Sequence, residues 1–175
     1  MMEVSEPNRT RTVDWKPAEQ TPPEDRAEAT GEDRDVLEVF MAYEDLSTGL
    51  RSKAALSRVF RQLETEVKSH LELCRFDMLR DPDMHYWAAR EARRCHMVVV
   101  SAHGAGELPN EVVDWIHLWA DQRRSEGGAL VVSLDEKVRQ ETEANGTLAC
   151  LRKVAAETGL LLLCHFGSTP RRTWE

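Results

Sequence analysis

The apolar positions of this chain change period several times after residue 35. Short continuous runs predict buried strands, and stripes spaced three and four residues apart predict helices that bury one face. The runs that predict strands are Val36 to Tyr43, Leu71 to Phe76, Met97 to Ser101, Ala129 to Leu134 and Leu160 to Phe166. Helical stripes separate them, and this alternation is typical of a parallel sheet with helices on both faces.

Two helices carry the clearest sequence signals. Asp81-Pro-Asp83 predicts a helix start, because Pro82 fits a first-turn position and either aspartate can accept backbone N–H groups. Trp115 and Trp119 lie four residues apart in another stripe, which predicts that both belong to the core. The stripe after the first strand comprises Leu56, Val59, Phe60, Leu63 and Val67.

Right-handed crossovers leave few topologies for five parallel strands. We therefore predict a three-layer α/β sandwich of the flavodoxin-like kind, with strand order 2-1-3-4-5. In that order the winding reverses between the first and third strands, and ligands of such folds bind beyond the carboxyl ends of the strands there. The residues predicted to line this crevice are Tyr43, Glu44, Asp45, Ser101, His103, Gly104, Gly106, Glu107 and Asp135.

The length of 175 residues suits one folded domain, which we expect to span residues 35–168. Residues 1–34 contain nine acidic and five basic residues, four of the seven prolines and no Leu, Ile or Phe. That composition cannot bury enough apolar surface to offset the entropy of ordering, so we expect a disordered acidic tail. Residues 169–175 are expected to form a short C-terminal tail.

The formal net charge of −8 at pH 7 disfavours nucleic acid and anionic membranes as partners. No apolar run approaches the roughly 18 residues of a membrane span, and the N-terminus lacks the apolar core of a secretory signal. We therefore expect a cytoplasmic protein with a protein partner, and leave open a homodimer formed through an exposed helix. The four cysteines include no Cys-x-x-Cys pair, and we predict no metal site from them.

The loop after the third predicted strand, Ser101-Ala-His-Gly-Ala-Gly-Glu-Leu-Pro109, resembles the flavin-contacting loop of flavodoxins, Ser/Thr-x-x-Gly-x-Gly-Glu/Asp-x-Pro. The resemblance implies that residues 101–107 line the isoalloxazine ring of FMN. The phosphate loop of that family follows the first strand, where Ser47-Thr48-Gly49 is a partial match. Glu44 and Asp45 precede it, and their carboxylates would repel a phosphate dianion.

The Glu44-Asp45 pair resembles the acidic pair of response-regulator receiver domains, which holds Mg²⁺ beside a phosphoacceptor aspartate. Ser101 stands where that aspartate belongs, and His165-Phe166-Gly167 replaces the region of the usual lysine. Both the nucleophile and the stabilising cation of phosphotransfer are therefore replaced. The resemblance implies a receiver-like domain that signals without phosphorylation, with Mg²⁺ as a cofactor to be tested.

Three segments resemble the successive strand ends of TIR-type domains: Phe40-Met-Ala-Tyr43, Arg75-Phe-Asp77 and Val99-Val-Ser101. In the NAD-cleaving members of that family a glutamate in the helix after strand three is essential. Glu111 or Glu107 is the candidate here.

No catalytic motif is complete in this sequence. Ser101 and His103 could serve as nucleophile and base, but no Gly-x-Ser-x-Gly turn surrounds Ser101. We therefore favour a non-catalytic regulatory or protein-interaction module of receiver-like or TIR-like type. The alternatives are an FMN-binding, flavodoxin-like redox protein and a TIR-type NAD-cleaving enzyme.

Overall fold

The computed structural model describes residues 36–62, 68–123 and 127–168. Its strands are β1 (Val36–Tyr43), β2 (Lys68–Arg75), β3 (Met97–Ser101), β4 (Ala129–Asp135) and β5 (Leu161–Gly167). Its α-helices are α1 (Leu46–Gln62), α2 (Pro82–Arg94), α3 (Asn110–Gln122) and α4 (Gly146–Thr158). Two short 3-10 helices, Phe76–Arg80 and Glu136–Glu141, follow β2 and β4.

The five strands form one all-parallel sheet in the order β2-β1-β3-β4-β5, flanked by helices. The predicted α/β architecture with flavodoxin-like strand order is therefore confirmed. β1 and β3 have the predicted bounds, whereas β2 begins three residues earlier than predicted, at Lys68, and ends at Arg75. The early part of β2 is an exposed sheet edge, so no apolar run marks its start. The predictions for residues 1–34 and 169–175 lie outside the described residues.

β1 and β3 end level with each other, and β4 continues two residues further. Tyr43 of β1 lies beside Ser101 of β3, which lies beside Ser133 of β4. Backbone hydrogen bonds continue just past these strands, from Glu44 N–H to the Ser101 carbonyl and from Ala102 N–H to the Ser133 carbonyl, each 2.9 Å. The loops that follow β1, β3 and β4 are therefore held together at one edge of the sheet.

The two faces of the sheet are covered unequally. On one face α2, α3 and α4 pack over the strands, and Trp115 and Trp119 are completely buried there, as predicted. On the other face α1 is the helix that packs on the sheet within the described residues. Its Leu56 and Phe60 cover a small cluster formed by Val39, Met41 and Val99.

One residue of the predicted α1 stripe does not face the sheet. Val59 is 53% exposed, which corrects the sequence prediction for this position. Leu63 and Val67 lie outside the described residues. The apolar face of α1 is therefore narrower than its sequence indicates. None of the described helices has the length and apolar character needed to cross a membrane.

The start of α2 provides a test of local helix capping. The Asp81 carboxylate accepts the N–H groups of Asp83 (3.0 Å) and Met84 (3.1 Å). We expect Asp81→Ala to lower the free energy of unfolding by about 1 kcal/mol, because both amides lose their acceptor. Urea unfolding monitored by tryptophan fluorescence measures this loss. Asp83→Ala is the matched control, and equal losses in the two variants would contradict the assignment of the cap to Asp81.

Candidate functional site

Asp45 lies just before α1, and its carboxylate accepts a backbone amide of the first turn of that helix. Its Oδ1 accepts the Thr48 N–H and the Ser47 hydroxyl, both at 2.9 Å. In return, the Asp45 N–H donates to the Thr48 hydroxyl oxygen at 3.1 Å. This reciprocal arrangement is the chemistry of a helix N-cap. The amino end of α1 lies where the winding of the sheet reverses between β1 and β3, which we call the switch point. The Thr48 amide at this helix end already binds the carboxylate of Asp45.

Arg51 lies one turn further along α1 and is only 3% exposed. Its Nη1 pairs with Oδ1 of Asp135, the last residue of β4, which is in register with Gly167 of β5. Its Nη2 donates to the carbonyl oxygens of Ala102 (2.9 Å) and Ser133 (3.2 Å). The guanidinium therefore joins α1 to the ends of β3 and β4.

His103 lies between two carboxylates at the same edge of the sheet. Its Nε2 is 2.7 Å from Oδ2 of Asp45, and its Nδ1 is 3.0 Å from Oδ2 of Asp135. Its backbone N–H donates to Oε2 of Glu44 at 2.8 Å. A protonated imidazole can donate to both aspartates at once. The carboxyl ends of β1, β3 and β4 therefore meet at this one side chain.

The contacts of this cluster change the pKa values of two of its members. The hydrogen bond to Asp45 raises the pKa of His103 above its ordinary value, and the contact with Asp135 adds to this effect against the opposing effect of burial. Burial acts to raise the pKa of Asp45, but hydrogen bonds from Thr48, His103 and Ser47 outweigh it and hold that pKa well below the usual range. The arrangement therefore favours charged forms of both groups.

Among the described contacts, the Ser101 side chain has no hydrogen bond to the charge cluster, which we define as the side chains of Glu44, Asp45, Arg51, His103 and Asp135. Its side chain is completely buried, its Oγ lies 2.6 Å from Oγ of Ser52, and it donates to the Thr48 carbonyl at 2.9 Å. The hydroxyl therefore holds α1 against β3. The structure does not place it beside His103 as a nucleophile.

The two glycines of the loop fix its shape and attach it to α4. Gly104 and Gly106 have φ angles of 85° and 94°, which favour glycine. The carbonyl oxygen of Gly104 accepts from the Asn145 side chain at 2.8 Å, and that of Gly106 accepts from the Thr147 hydroxyl at 3.1 Å. A Cβ on Gly104 would lie 3.2 Å from side chains of Leu134 and Val138. The loop is therefore closed against β4 and α4.

Two further predicted residues lie beside the crevice without joining its hydrogen bonds. The Tyr43 ring packs against Gly49, where an added Cβ would approach the ring to 2.9 Å. Glu107 is exposed and its side chain lies against Gly146. Of the nine predicted site residues, the structure thus brings together Glu44, Asp45, His103 and Asp135 through side-chain contacts.

Sequence reasoning missed the basic centre of the cluster. Arg51 was not among the predicted site residues, because an arginine in an amphipathic helix usually indicates a solvated face. Asn145 and Thr147, which bind the glycine loop, were also missed. The one available signal was the order of residues in α1, where Arg51 and Ser52 follow Thr48 by three and four positions and therefore share its helix face.

The arrangement does not fit the phosphate of FMN or a carboxylate-bound Mg²⁺. The Thr48 N–H, which a phosphate would need, already donates to Asp45, and the Ser101 hydroxyl is turned towards α1. The His103 ring lies between the carboxylates of Asp45 and Asp135. Within residues 36–62, 68–123 and 127–168, no group of three or more His, Cys, Asp or Glu side chains is arranged to hold a metal ion.

A surface depression lies away from this cluster, between the first 3-10 helix, α2 and α3. Its lining residues are Leu79, Arg80, Pro82, His85, Tyr86, Asp114 and Leu118. None of them belongs to the crevice predicted from the strand ends. The depression is open, and we place the candidate site at the charge cluster because its groups converge there.

Comparison of the chain with protein-family models, curated proteins and solved structures finds no significant match. The inference of function therefore rests on the fold and on the side chains of the site.

Removal of the buried cation tests its part in the fold. We expect Arg51→Met to lower the free energy of unfolding by about 3–5 kcal/mol, because Asp135 keeps a largely buried carboxylate without its guanidinium. The double variant Arg51→Met/Asp135→Leu should recover part of that loss, since it removes both charges. Urea unfolding followed by circular dichroism measures each variant.

Arg75→Met is the control for this experiment. It breaks an ion pair with Asp77 in which both side chains are about half exposed, and exposed pairs contribute little. A loss in Arg51→Met no larger than that in Arg75→Met would show that the buried network does not stabilise the fold.

The raised pKa of His103 predicts a pH dependence of stability. A folded pKa above the unfolded value of about 6.5 gives stability that is fully present below that value and is lost as pH rises through the folded pKa. The stability difference between the parent and His103→Gln should therefore shrink as pH rises above about 6.5. Urea midpoints measured between acidic and alkaline pH give this difference. His117→Gln, on an exposed position of α3, controls for loss of a histidine, and a constant difference for His103→Gln would contradict the assignment.

Proposed function

We propose that this chain is a non-catalytic regulatory or protein-interaction module of receiver-like type. The observation that carries the proposal is the mutual pairing of the polar side chains at the switch point. Both ring nitrogens of His103 contact aspartates, and the guanidinium of Arg51 is used by Asp135 and two carbonyl oxygens. A general base or electrophile would need to be free to contact substrate.

The positions that carry phosphotransfer in receiver domains support this proposal. The Ser101 hydroxyl, at the phosphoacceptor position, is buried against α1. In the region of the usual lysine, Nδ1 of His165 lies 3.1 Å from the Ser133 hydroxyl. Burial lowers the pKa of His165, and the positive charge of Arg51 acts in the same direction. A neutral histidine there cannot replace a cationic lysine.

The two glutamates that are candidates for NAD cleavage make their contacts outside the charge cluster. Glu111, in the first turn of α3, forms an ion pair with Arg80 at 2.8 Å. Glu107 is exposed and packs against Gly146. Neither glutamate has a side-chain hydrogen bond to the charge cluster among the described contacts, which favours the non-catalytic alternative.

Ligand and turnover measurements on the purified full chain test the proposal. We expect NAD to stay intact at high protein concentration, and we expect FMN and Mg²⁺ to cause no saturable shift of the backbone amide resonances of Gly104 and Gly106. The reason is that the groups these ligands need already bind one another. NAD is followed by chromatography and the two ligands by two-dimensional NMR.

Three results would overturn this function, each with its own variant control. NAD cleavage lost in Glu111→Gln or Glu107→Gln would make the chain an enzyme. Saturable FMN binding lost in Gly104→Val would make it a flavoprotein. Mg²⁺ binding lost in the Glu44→Gln/Asp45→Asn double variant would restore a metal-dependent receiver mechanism.

A further inference from the structure

β5 exposes leucines on the face of the sheet that α1 covers in part. Leu161 and Leu163 are 62% and 43% exposed. They pair in register with Ala129 and Val131 of β4, and Val131 packs on the small apolar cluster beneath α1. Parallel sheets are normally covered on both faces. Among the described helices none covers this half of the face, which we call the α1–β5 groove and define by Ala129, Val131, Leu161, Leu163 and the facing side of α1.

The groove opens towards the amino ends of the strands. At the carboxyl end, the side chain of Arg51 packs so closely over Gly167 that an added Cβ would lie 3.1 Å from Cδ of Arg51. Towards the amino end of β5, the exposed fraction of the side chains on this face increases. His165 is half-buried, Leu163 is more exposed, and Leu161 is the most exposed of the three. The apolar floor is therefore widest beside the second half of α1.

The helix that borders the groove is strongly basic. α1 carries Arg51, Lys53, Arg58 and Arg61 and contains no Asp or Glu, although the whole chain has a net charge of −8. Arg51 is buried and paired with Asp135, whereas Lys53, Arg58 and Arg61 are exposed. The pKa of His165, on the same face of β5 as the leucines, is lowered first by burial; Arg58 is among the cations that lower it further, and Glu136 opposes them. The basic border of the groove is therefore formed by the exposed cations of α1.

The size of the groove and its charge together define an occupant. Neighbouring strands lie about 4.8 Å apart, so β4 and β5 offer a floor about as wide as one α-helix of ~10 Å diameter. We propose that the α1–β5 groove binds an amphipathic helix of a partner protein, with leucine-type residues on one face and Asp or Glu along its borders. This inference deepens the proposed interaction function and rests on it.

A second copy of this chain fits the same surface less well. A two-fold contact through the groove would bring the basic α1 of one copy towards the basic α1 of the other. Like charges brought together at an interface oppose association. Nucleic acid would match the basic border but not the leucine floor, because its affinity comes from phosphate contacts.

The test uses two labelled helical peptides of about 18 residues with the full chain. One has leucines at positions i, i+3, i+4 and i+7 bordered by glutamates, and the other has the same leucines bordered by lysines. We expect the glutamate peptide to bind, with saturable fluorescence anisotropy, at least about tenfold more tightly than the lysine peptide.

Variants of the groove assign the binding to this surface. Leu161→Ser/Leu163→Ser should weaken binding of the glutamate peptide by about tenfold or more, because two exposed leucines no longer become buried. Arg58→Glu should weaken the glutamate peptide and strengthen the lysine peptide. Tyr86→Ser is the matched control, since Tyr86 is 68% exposed on α2, across the sheet from the groove, and should leave binding unchanged.

The contrary outcomes are distinct from one another. No binding of the glutamate peptide, or equal binding of both peptides or of a single-stranded oligonucleotide, would overturn the proposal. A dimer in sedimentation velocity that Leu161→Ser/Leu163→Ser abolishes would make a second copy the occupant. Protection of Leu161 and Leu163 from hydroxyl radicals in the free monomer would show that its own chain covers them. None of these results changes the FMN, NAD or Mg²⁺ measurements, so this inference and the proposed function can fail separately.

Discussion

The buried guanidinium of Arg51 is the constraint on which the rest of the site depends. A cation removed from water costs several kcal/mol unless a carboxylate and hydrogen-bond acceptors surround it. Asp135 supplies the carboxylate and the carbonyl oxygens of Ala102 and Ser133 accept from Nη2, whereas Nε has no hydrogen-bond partner among the described residues. These acceptors converge because the end of β3 at Ser101 is in register with Ser133, two residues before Asp135 ends β4. The position of α1 over the sheet is therefore fixed by an electrostatic requirement as well as by apolar packing.

Because of the same requirement, the charged side chains of the crevice bind one another. Once Oδ1 of Asp135 pairs with Arg51, its Oδ2 is directed to His103, and the opposite nitrogen of that ring reaches the aspartate that caps α1. Two basic and two acidic side chains, from α1 and from the ends of β1, β3 and β4, then alternate, and their charges balance when His103 is protonated. A ligand entering here would have to replace contacts that are already made, which is the physical basis for favouring a regulatory or interaction function over catalysis.

The fold was largely predictable from the sequence, and the site only in part. β1 and β3 were placed correctly because continuous apolar runs mark strands buried on both faces. Asp45, His103 and Asp135 were predicted to share the crevice because each follows a strand end at one edge of the sheet. Arg51 could not be found in this way, since its burial depends on Asp135, which lies 84 positions away. The direction of the Ser101 hydroxyl likewise depends on Ser52 of α1, a tertiary contact that no local pattern encodes.

The unequal covering of the sheet connects the charge cluster with the exposed leucines. Three helices and two buried tryptophans form the core on one face, whereas α1 contributes chiefly Leu56 and Phe60 to the other. With so little apolar contact, α1 relies on the hydrogen bonds of its first two turns, through Asp45, Arg51 and the residues near them. Those bonds hold its amino-terminal half, and its carboxyl-terminal half borders the open floor of β4 and β5. A helix bound on that floor would bury Leu161 and Leu163 and pack against the half of α1 that the charge cluster does not hold, so binding there would complete the sheet's second apolar layer.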